Sequence, residues 1–283
     1  MPDTPAPEEL PLDLLLRLAR REIEDPYGET SQPALVALHQ RPTREVFDIA
    51  ATLLHDNDVT QRELGAQILR NLGDEGPDGR PFRVETITLM RARLRTETDP
   101  AVLSWIISAL GYHHGKEALP QVLAFTDHPD DRVRFHIAAA LTSLVDLDRV
   151  EPEAADALIR LCHDEDDETR FYALYAATRE IAGLDVQRVT DLAAQLTNDP
   201  DEQIQAMAVA HLETVREVRA LLTDAGADDH LIGPVLVTLG WAGTSDDAAR
   251  LLDEEIRRHA GPTPTLAERL VTWWADREDR TWG

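Results

Sequence analysis

The chain has 283 residues, of which 43% are hydrophobic and 29% are charged, so it can bury a substantial core and wholesale disorder is excluded. Aromatic residues make up only 5%, while Ala, Leu, Glu, Asp and Arg are abundant, a composition that disfavours β-sandwiches and barrels and predicts an all-α protein. The 53 acidic residues outnumber the 28 basic ones and leave a net charge of −25. This charge opposes nucleic acids and anionic membrane surfaces, because binding to phosphate depends on Lys and Arg.

The N-terminal end separates into an arm and a helix. Residues 1–9 are acidic and Pro-rich, which predicts a disordered arm, whereas the pattern from Leu12 to Ile23 predicts a helix that caps the domain. No stretch reaches the roughly 18 apolar residues that cross a bilayer, and the first residues do not resemble a signal peptide. We therefore expect a soluble, cytoplasmic protein with one domain over residues 10–283.

Five segments of the chain repeat one pattern, in which an acidic or Pro-containing turn precedes a helix rich in Ala and Leu. They begin at Asp56, Thr98, His128, Asp164 and Asn198. One equivalent helical position in each segment serves as an anchor for the alignment, and the successive anchors are 41, 31, 36 and 35 residues apart. The anchors are Arg62, Leu103, Arg134, Arg170 and Gln205.

Other amphipathic helices lie between these segments, beginning near Glu117, Glu153 and Arg188, so each repeat is predicted to be a helical hairpin. An aspartate before each second helix can accept hydrogen bonds from the free N–H groups of its first turn. The predicted capping residues are Asp58, Asp99, Asp130, Asp166 and Asp199. Further pairs continue to the C-terminal end, which predicts an α-solenoid of about seven to eight antiparallel hairpins. Gly and Pro residues predict an exposed loop over residues 74–81.

The segment DHPDDRVRFHIAAAL, beginning at Asp127, and the preceding EALPQVLAF resemble bacterial HEAT repeats of the phycobilisome-lyase type. That family's pattern is an Asp turn, Val-Arg, and then Ala-Ala and Leu. The resemblance covers roughly residues 43–275 and implies a HEAT-like superhelix that binds its partners. It does not imply lyase activity, since the sequence has no chromophore-specific signature.

In such repeats the second helices line the concave surface, so residues two positions after each anchor are predicted to form a stripe along it. This register holds Leu64, Trp105, His136, Tyr172 and Met207. Aromatic and Arg side chains contribute disproportionately to binding energy at interfaces. The candidate partner-binding residues are Trp105, Tyr112, Arg134, His136, Arg170, Tyr172, Tyr175 and Arg179.

Structural roles compete with binding for several of these residues. Phe135 and Phe171, which flank the stripe, are expected to pack between repeats as core. Arg134 and Arg170 could bind an acidic ligand, but the resemblance favours an Asp–Arg ladder in which each Arg bridges turn carboxylates of neighbouring repeats.

No metal, cofactor or catalytic site is expected from the sequence. Cys162 lies among apolar residues and is interpreted as core, and His113 and His114 are interpreted as a helix end because no ligand spacing accompanies them. The acidic run from Asp164 to Glu168 lacks the Gly of a calcium loop and is interpreted as a turn and helix cap. No nucleophile elbow, P-loop or dinucleotide-binding motif is present.

These observations favour a non-enzymatic scaffold that binds a protein or peptide on its concave face. One alternative is an acidic inhibitor that masks a basic partner. Another is an enzyme related to the HEAT-like DNA glycosylases, which use an aromatic and carboxylate cleft. We expect no carboxylate within reach of Trp105, which argues against that enzyme.

Overall fold

The computed structural model describes residues 9–24, 31–77, 79–242, 245–260 and 264–281. These residues form fifteen α-helices and contain no β-strand, so the predicted all-α solenoid of helical hairpins is confirmed. The helices are α1 (Leu12–Ile23), α2 (Pro33–His39), α3 (Arg44–Leu53), α4 (Val59–Asn71), α5 (Arg83–Leu94), α6 (Pro100–Tyr112), α7 (Leu119–Leu123), α8 (Asp131–Leu144), α9 (Pro152–Leu161), α10 (Asp167–Tyr175), α11 (Val186–Leu196), α12 (Glu202–Asp224), α13 (Ile232–Trp241), α14 (Ser245–Ala260) and α15 (Pro264–Thr281). A π-helical turn, Ala176–Glu180, follows α10 directly.

The chain divides into two compact units, Met1–Leu144 and Val145–Gly283. The first contains the hairpins α1–α2, α3–α4, α5–α6 and α7–α8, and the second contains α9–α10, α11–α12 and the helices α13 to α15. Helix α1 has the bounds predicted for the capping helix. The predicted disordered arm lies outside the described residues except for Glu9.

A common turn starts each second helix. The N-cap aspartates Asp58, Asp99 and Asp166 accept hydrogen bonds from backbone N–H groups of the first helical turn, which satisfies donors that a helix leaves free. The prediction for α12 is wrong by two residues, because Asp201 is its cap and Asp199 lies before it. In all five turns the backbone N–H of the residue that precedes the second helix donates to a side chain two residues earlier. These acceptors are Asp56, Glu97, His128, Asp164 and Asp199.

The anchor arginines close the same turns from the helix side. Nη1 of Arg62 donates to the carbonyls of the residues six and five positions earlier, at 3.2 and 3.0 Å. Arg134 and Arg170 repeat this pair of bonds at 2.8–3.2 Å. Gln205 makes the first bond of the pair, to the Asp199 carbonyl at 2.7 Å. Each bond satisfies a turn carbonyl, and those of Arg134, Arg170 and Gln205 do so where the carbonyl is partly buried.

Arg62 and Arg170 also reach the following turn, which is the ladder predicted for Arg170. Arg62 donates from Nε and Nη2 to the Glu97 carboxylate at 2.9 and 3.1 Å, and Arg170 donates to Asp199 through the same atoms at 3.0 Å. Burial pushes the pKa of Glu97 upward, but hydrogen bonds from Arg62, from backbone N–H groups and from Arg93 outweigh it and hold this pKa at about 2. Both buried carboxylates are therefore ionised and paired at neutral pH.

Close helix packing places α4, α6 and α8 side by side in the first unit. A Cβ on Gly111 of α6 would lie 2.9 Å from the Ala140 Cβ of α8, so a larger residue at this position would force the two helices apart. The three second helices therefore present one continuous face.

Several local predictions are confirmed by the structure. Cys162 is fully buried and its pKa is raised by loss of solvation, as expected of a core residue. Helix α6 ends at Tyr112, His113 is its buried C-cap and His114 has a left-handed φ of 51°. The connection from Asp74 to Pro81 is non-helical in its described residues and contains a turn closed between Gly76 and Gly79.

Removing one arginine of the ladder tests its contribution to stability. Arg170→Ala leaves the Asp199 carboxylate buried without its partner, so we expect the free energy of unfolding to fall by roughly 3–5 kcal/mol in urea denaturation followed by circular dichroism. The matched control is Arg188→Ala, which removes the exposed pair with Asp156 and should cost at most about 1 kcal/mol. Equal effects of the two variants would contradict the ladder.

Four neutral histidines, of which His113 and His211 are buried and His39 and His136 are partly buried, predict loss of stability in mild acid. Burial is the main cause that lowers the pKa of His39, His113, His136 and His211 from 6.5 to about 4. The unfolded chain therefore binds more protons between pH 6.5 and 4, so the stability that each histidine contributes is complete above pH 6.5 and is lost as pH falls toward 4. Each pKa unit corresponds to about 1.4 kcal/mol.

We expect the denaturation midpoint to fall steadily from pH 7 to pH 4.5. His113→Gln should flatten this dependence, whereas the same change at the exposed His55 should leave it unaltered. Glu97 adds a second loss only below its ordinary pKa of 4.5, since its own folded pKa is about 2. A midpoint that is constant between pH 7 and 5 would contradict the role of the histidines.

Candidate binding site on helices α4, α6 and α8

The structure divides the predicted site residues between the two units. Trp105, Tyr112, Arg134 and His136 belong to the first unit. The second unit holds Arg170, Tyr172, Tyr175 and Arg179.

Arg134 and Arg170 are buried, with exposed fractions of 7% and 8%, and their guanidinium groups bond to the turns. Their burial argues against contact with a partner and favours a structural role, in which Arg170 forms the predicted ladder with Asp199. Trp105, Tyr112 and His136 lie together on the face of α4, α6 and α8, which becomes the candidate site.

A carboxylate from α4 contacts the central indole. Nε1 of the partly exposed Trp105 donates to Oε1 of Glu63 at 3.1 Å, and Nε2 of the buried Gln67 donates to the same oxygen at 3.0 Å. The expectation that no carboxylate lies within reach of Trp105 is wrong, because the carboxylate comes from the neighbouring helix. Loss of solvation raises the pKa of Glu63, and the two neutral donors only partly offset this effect.

An arginine from the same helix lies over the aromatic rings. The Arg70 Cζ lies 3.6 Å from the ring centroid of Tyr112 and 5.4 Å from that of Trp105, and Arg70 Nε donates to the Ser108 Oγ at 2.7 Å. These are cation–π contacts, which hold the guanidinium against the rings. Burial lowers the pKa of Arg70, whereas the carboxylate partners of Arg62 and Arg170 raise theirs.

His136 of α8 completes this face. Its ring centroid lies 5.6 Å from that of Trp105 and 5.1 Å from that of the partly buried Phe135. Burial, and then the charge of Arg70, lower the pKa of His136 to about 4, so the imidazole is neutral at physiological pH. The ring acts as an aromatic surface that can also donate or accept one hydrogen bond.

The α4 residues of this face, Glu63, Gln67 and Arg70, were not predicted from the sequence. The predicted stripe placed Leu64 here, but Leu64 is buried with an exposed fraction of 1%, and the adjacent Glu63 faces Trp105. Glu63, Gln67 and Arg70 have the spacing i, i+4, i+7, which puts them on one side of a helix that is otherwise rich in apolar residues. That polar stripe inside a core helix is the signal that could have identified them.

A separate aromatic patch lies on α10 of the second unit. Tyr172 and Tyr175 have exposed fractions of 44% and 42%, and the partly exposed Phe171 lies 5.8 and 6.4 Å from them by ring centroids. Phe171 is therefore partly buried beside this patch. Arg179 is partly exposed in the π-helical turn that follows, and Met207 is partly exposed on α12.

No group of three or more His, Cys, Asp or Glu side chains in the described residues is arranged to hold a metal ion. Among the helices in the same residues, none combines the length and the apolar character needed to cross a membrane. The face on α4, α6 and α8 offers aromatic rings, the Glu63 carboxylate and the Arg70 guanidinium, with Arg80 also lying 5.8 Å from the Tyr112 ring centroid.

The Glu63 carboxylate is expected to cost stability where it stands. Because its folded pKa is raised, ionisation at pH 7 disfavours the folded state, and Glu63→Gln should increase the free energy of unfolding while it keeps an acceptor for Trp105. The gain in the free energy of unfolding should vanish at a pH where Glu63 is protonated in both the folded and the unfolded protein. Glu63→Leu, in contrast, leaves two donors unsatisfied and should cost roughly 1–3 kcal/mol. A stability loss with Glu63→Gln at pH 7 would contradict this account.

The comparisons with known proteins support the fold. Residues 87–178, which include α6 and α8, match the family model for HEAT repeats. No curated protein matches the sequence. The E. coli protein YibA has a similar solved structure, with 16% identity, coverage of 97% of this chain and 94% of YibA, and a TM-score of 0.58. This similarity extends over nearly the whole chain and shows a shared fold.

Two other solved structures are more distant. An archaeal HEAT-like repeats protein from Thermococcus onnurineus is 15% identical over 97% of this chain and 99% of its own, with a TM-score of 0.44. The complex of CpcE and CpcF of phycocyanin lyase from Nostoc is 20% identical over 80% of each chain, with a TM-score of 0.37. The match over residues 87–178 confirms the HEAT repeats predicted from the sequence in that part of the chain, and the similarity to YibA shows the fold of the rest.

Proposed function

We propose that this protein is an interaction scaffold that binds a protein or peptide on the face of α4, α6 and α8. The observation that carries the proposal is the cluster of Glu63, Arg70, Trp105, Tyr112 and His136 on adjacent second helices. Trp, Tyr and Arg side chains that are partly desolvated before binding are the ones that most often dominate interface energies.

The rigidity of this face supports the proposal. Its rings and charged groups are held by Trp105–Glu63 and Arg70–Ser108 hydrogen bonds. They stand on helices whose turns are bonded by Arg62 and Arg134, and Arg62 also reaches Glu97 in the turn before α6. A surface ordered in advance loses little conformational entropy when a partner binds. The net charge of −25 also favours a partner with basic surface, since complementary charge accelerates encounter.

Capture of partners from native lysate tests the proposal. Trp105→Ala together with Tyr112→Ala removes two aromatic contacts, so we expect the captured partner to decrease by about tenfold or more, the equivalent of roughly 1.4 kcal/mol or greater, in quantitative mass spectrometry.

The matched control is Trp241→Ala, because this indole is 68% exposed but lies on α13 of the second unit. The control should retain the partner. An unchanged partner set with the double variant, whose folding is checked by circular dichroism, would reject the site. Loss with both variants would indicate a general aromatic effect and would also reject it.

A further inference from the structure

The face on α4, α6 and α8 contains two charges of opposite sign that nothing in the described structure neutralises. Glu63 accepts hydrogen bonds only from the neutral groups of Trp105 and Gln67, both at Oε1, and has no ion pair among the described residues. Arg132 lowers the pKa of Glu63 through space, but Arg132 is itself paired with Asp130 at 2.9 Å. The second carboxylate oxygen of Glu63 is therefore available to a bound cation.

Arg70 is a cation for which no carboxylate partner is found among the described residues. Its hydrogen bond goes to Ser108 and its guanidinium lies over Tyr112, while no carboxylate in the described part of the chain forms an ion pair with it. The neighbouring cation Arg80 lowers the pKa of Arg70 further. In a chain with 53 acidic residues, a half-buried arginine without a carboxylate is available to an anionic group from a partner.

The separation of these two charges prevents their mutual neutralisation. Glu63 and Arg70 are seven residues apart on α4, which places them on the same side of the helix at about 10 Å along its axis. Gln67 lies between them and donates to Glu63. Direct contact would require a pair at i, i+3 or i, i+4.

We propose, building on the proposed function above, that this face binds an extended peptide segment with one basic and one acidic side chain three residues apart. In a polyproline II conformation, residues i and i+3 lie on the same side at about 9 Å, which matches the spacing of Glu63 and Arg70. The basic side chain pairs with Glu63 beside the Trp105 ring, and the acidic side chain pairs with Arg70. Trp105, Tyr112 and His136 then provide the aromatic floor that such segments use.

The probe is the synthetic peptide acetyl-PKPPEP-amide, compared with three peptides in which Gln replaces Lys, Glu or both. Binding is followed by the indole N–H resonance of Trp105, which reports on this face directly. We expect the doubly charged peptide to bind about fivefold more tightly than either singly neutralised peptide, as for a partly desolvated ion pair.

A double-mutant cycle assigns each charge to its partner. Glu63→Gln should remove the preference for Lys and keep the preference for Glu, and Arg70→Gln should do the reverse. Arg70→Lys retains the positive charge and should retain the preference for Glu. It therefore tests the role of the charge even if Arg70→Gln destabilises the fold. Thermal unfolding of each variant checks its integrity.

Equal affinity for all four peptides would overturn the inference, and so would the absence of a Trp105 shift at millimolar peptide. If either occurs while partner capture still depends on Trp105 and Tyr112, the proposed function stands and only this peptide chemistry is wrong. If capture does not depend on those rings, the proposed function itself fails.

Discussion

The bonds between the four polar anchor side chains and their own turns are the constraint on which the rest of these repeats depends. Arg62, Arg134 and Arg170 each satisfy two carbonyls of the turn before the second helix. The guanidinium is planar and carries five donors, so one side chain can bond to two carbonyls and still reach the next turn. Because the turn fixes where the helix begins, it also fixes which side chains reach the face on α4, α6 and α8.

The same bonds explain the composition of the chain. Buried turn positions favour Arg over Lys, and Lys116 is the single lysine. Many of the carboxylates cap helices or pair with arginines inside the repeats, so they stabilise the fold and are already bonded within the chain. Glu63 and Arg70 differ because each is partly desolvated without an ion pair in the described structure.

The hairpins were predictable from sequence because their signals are local. Helix periodicity, an Asp before each second helix and the spacing of the anchors defined the elements, and α1 has the predicted bounds. The contents of the candidate site were less predictable, because successive residues of a helix point about 100° apart and a stripe shifted by one position exchanges the buried Leu64 for Glu63. That rotation depends on packing between helices, such as the close approach of Gly65 to the Ala50 carbonyl.

Catalytic acids are also often carboxylates with a raised pKa beside an indole. Whether Glu63 acts as a general acid or as a binding group therefore depends on its exposure to water. General acid catalysis gains most where water is excluded from the reacting group. Trp105 is partly exposed and Tyr112 is 45% exposed, so the face is open to solvent in the free protein. In the complex proposed above, a cation that pairs with Glu63 would offset the stability that burial of this carboxylate costs. The same half-buried position that disfavours the charge in the free protein would strengthen the ion pair in the complex.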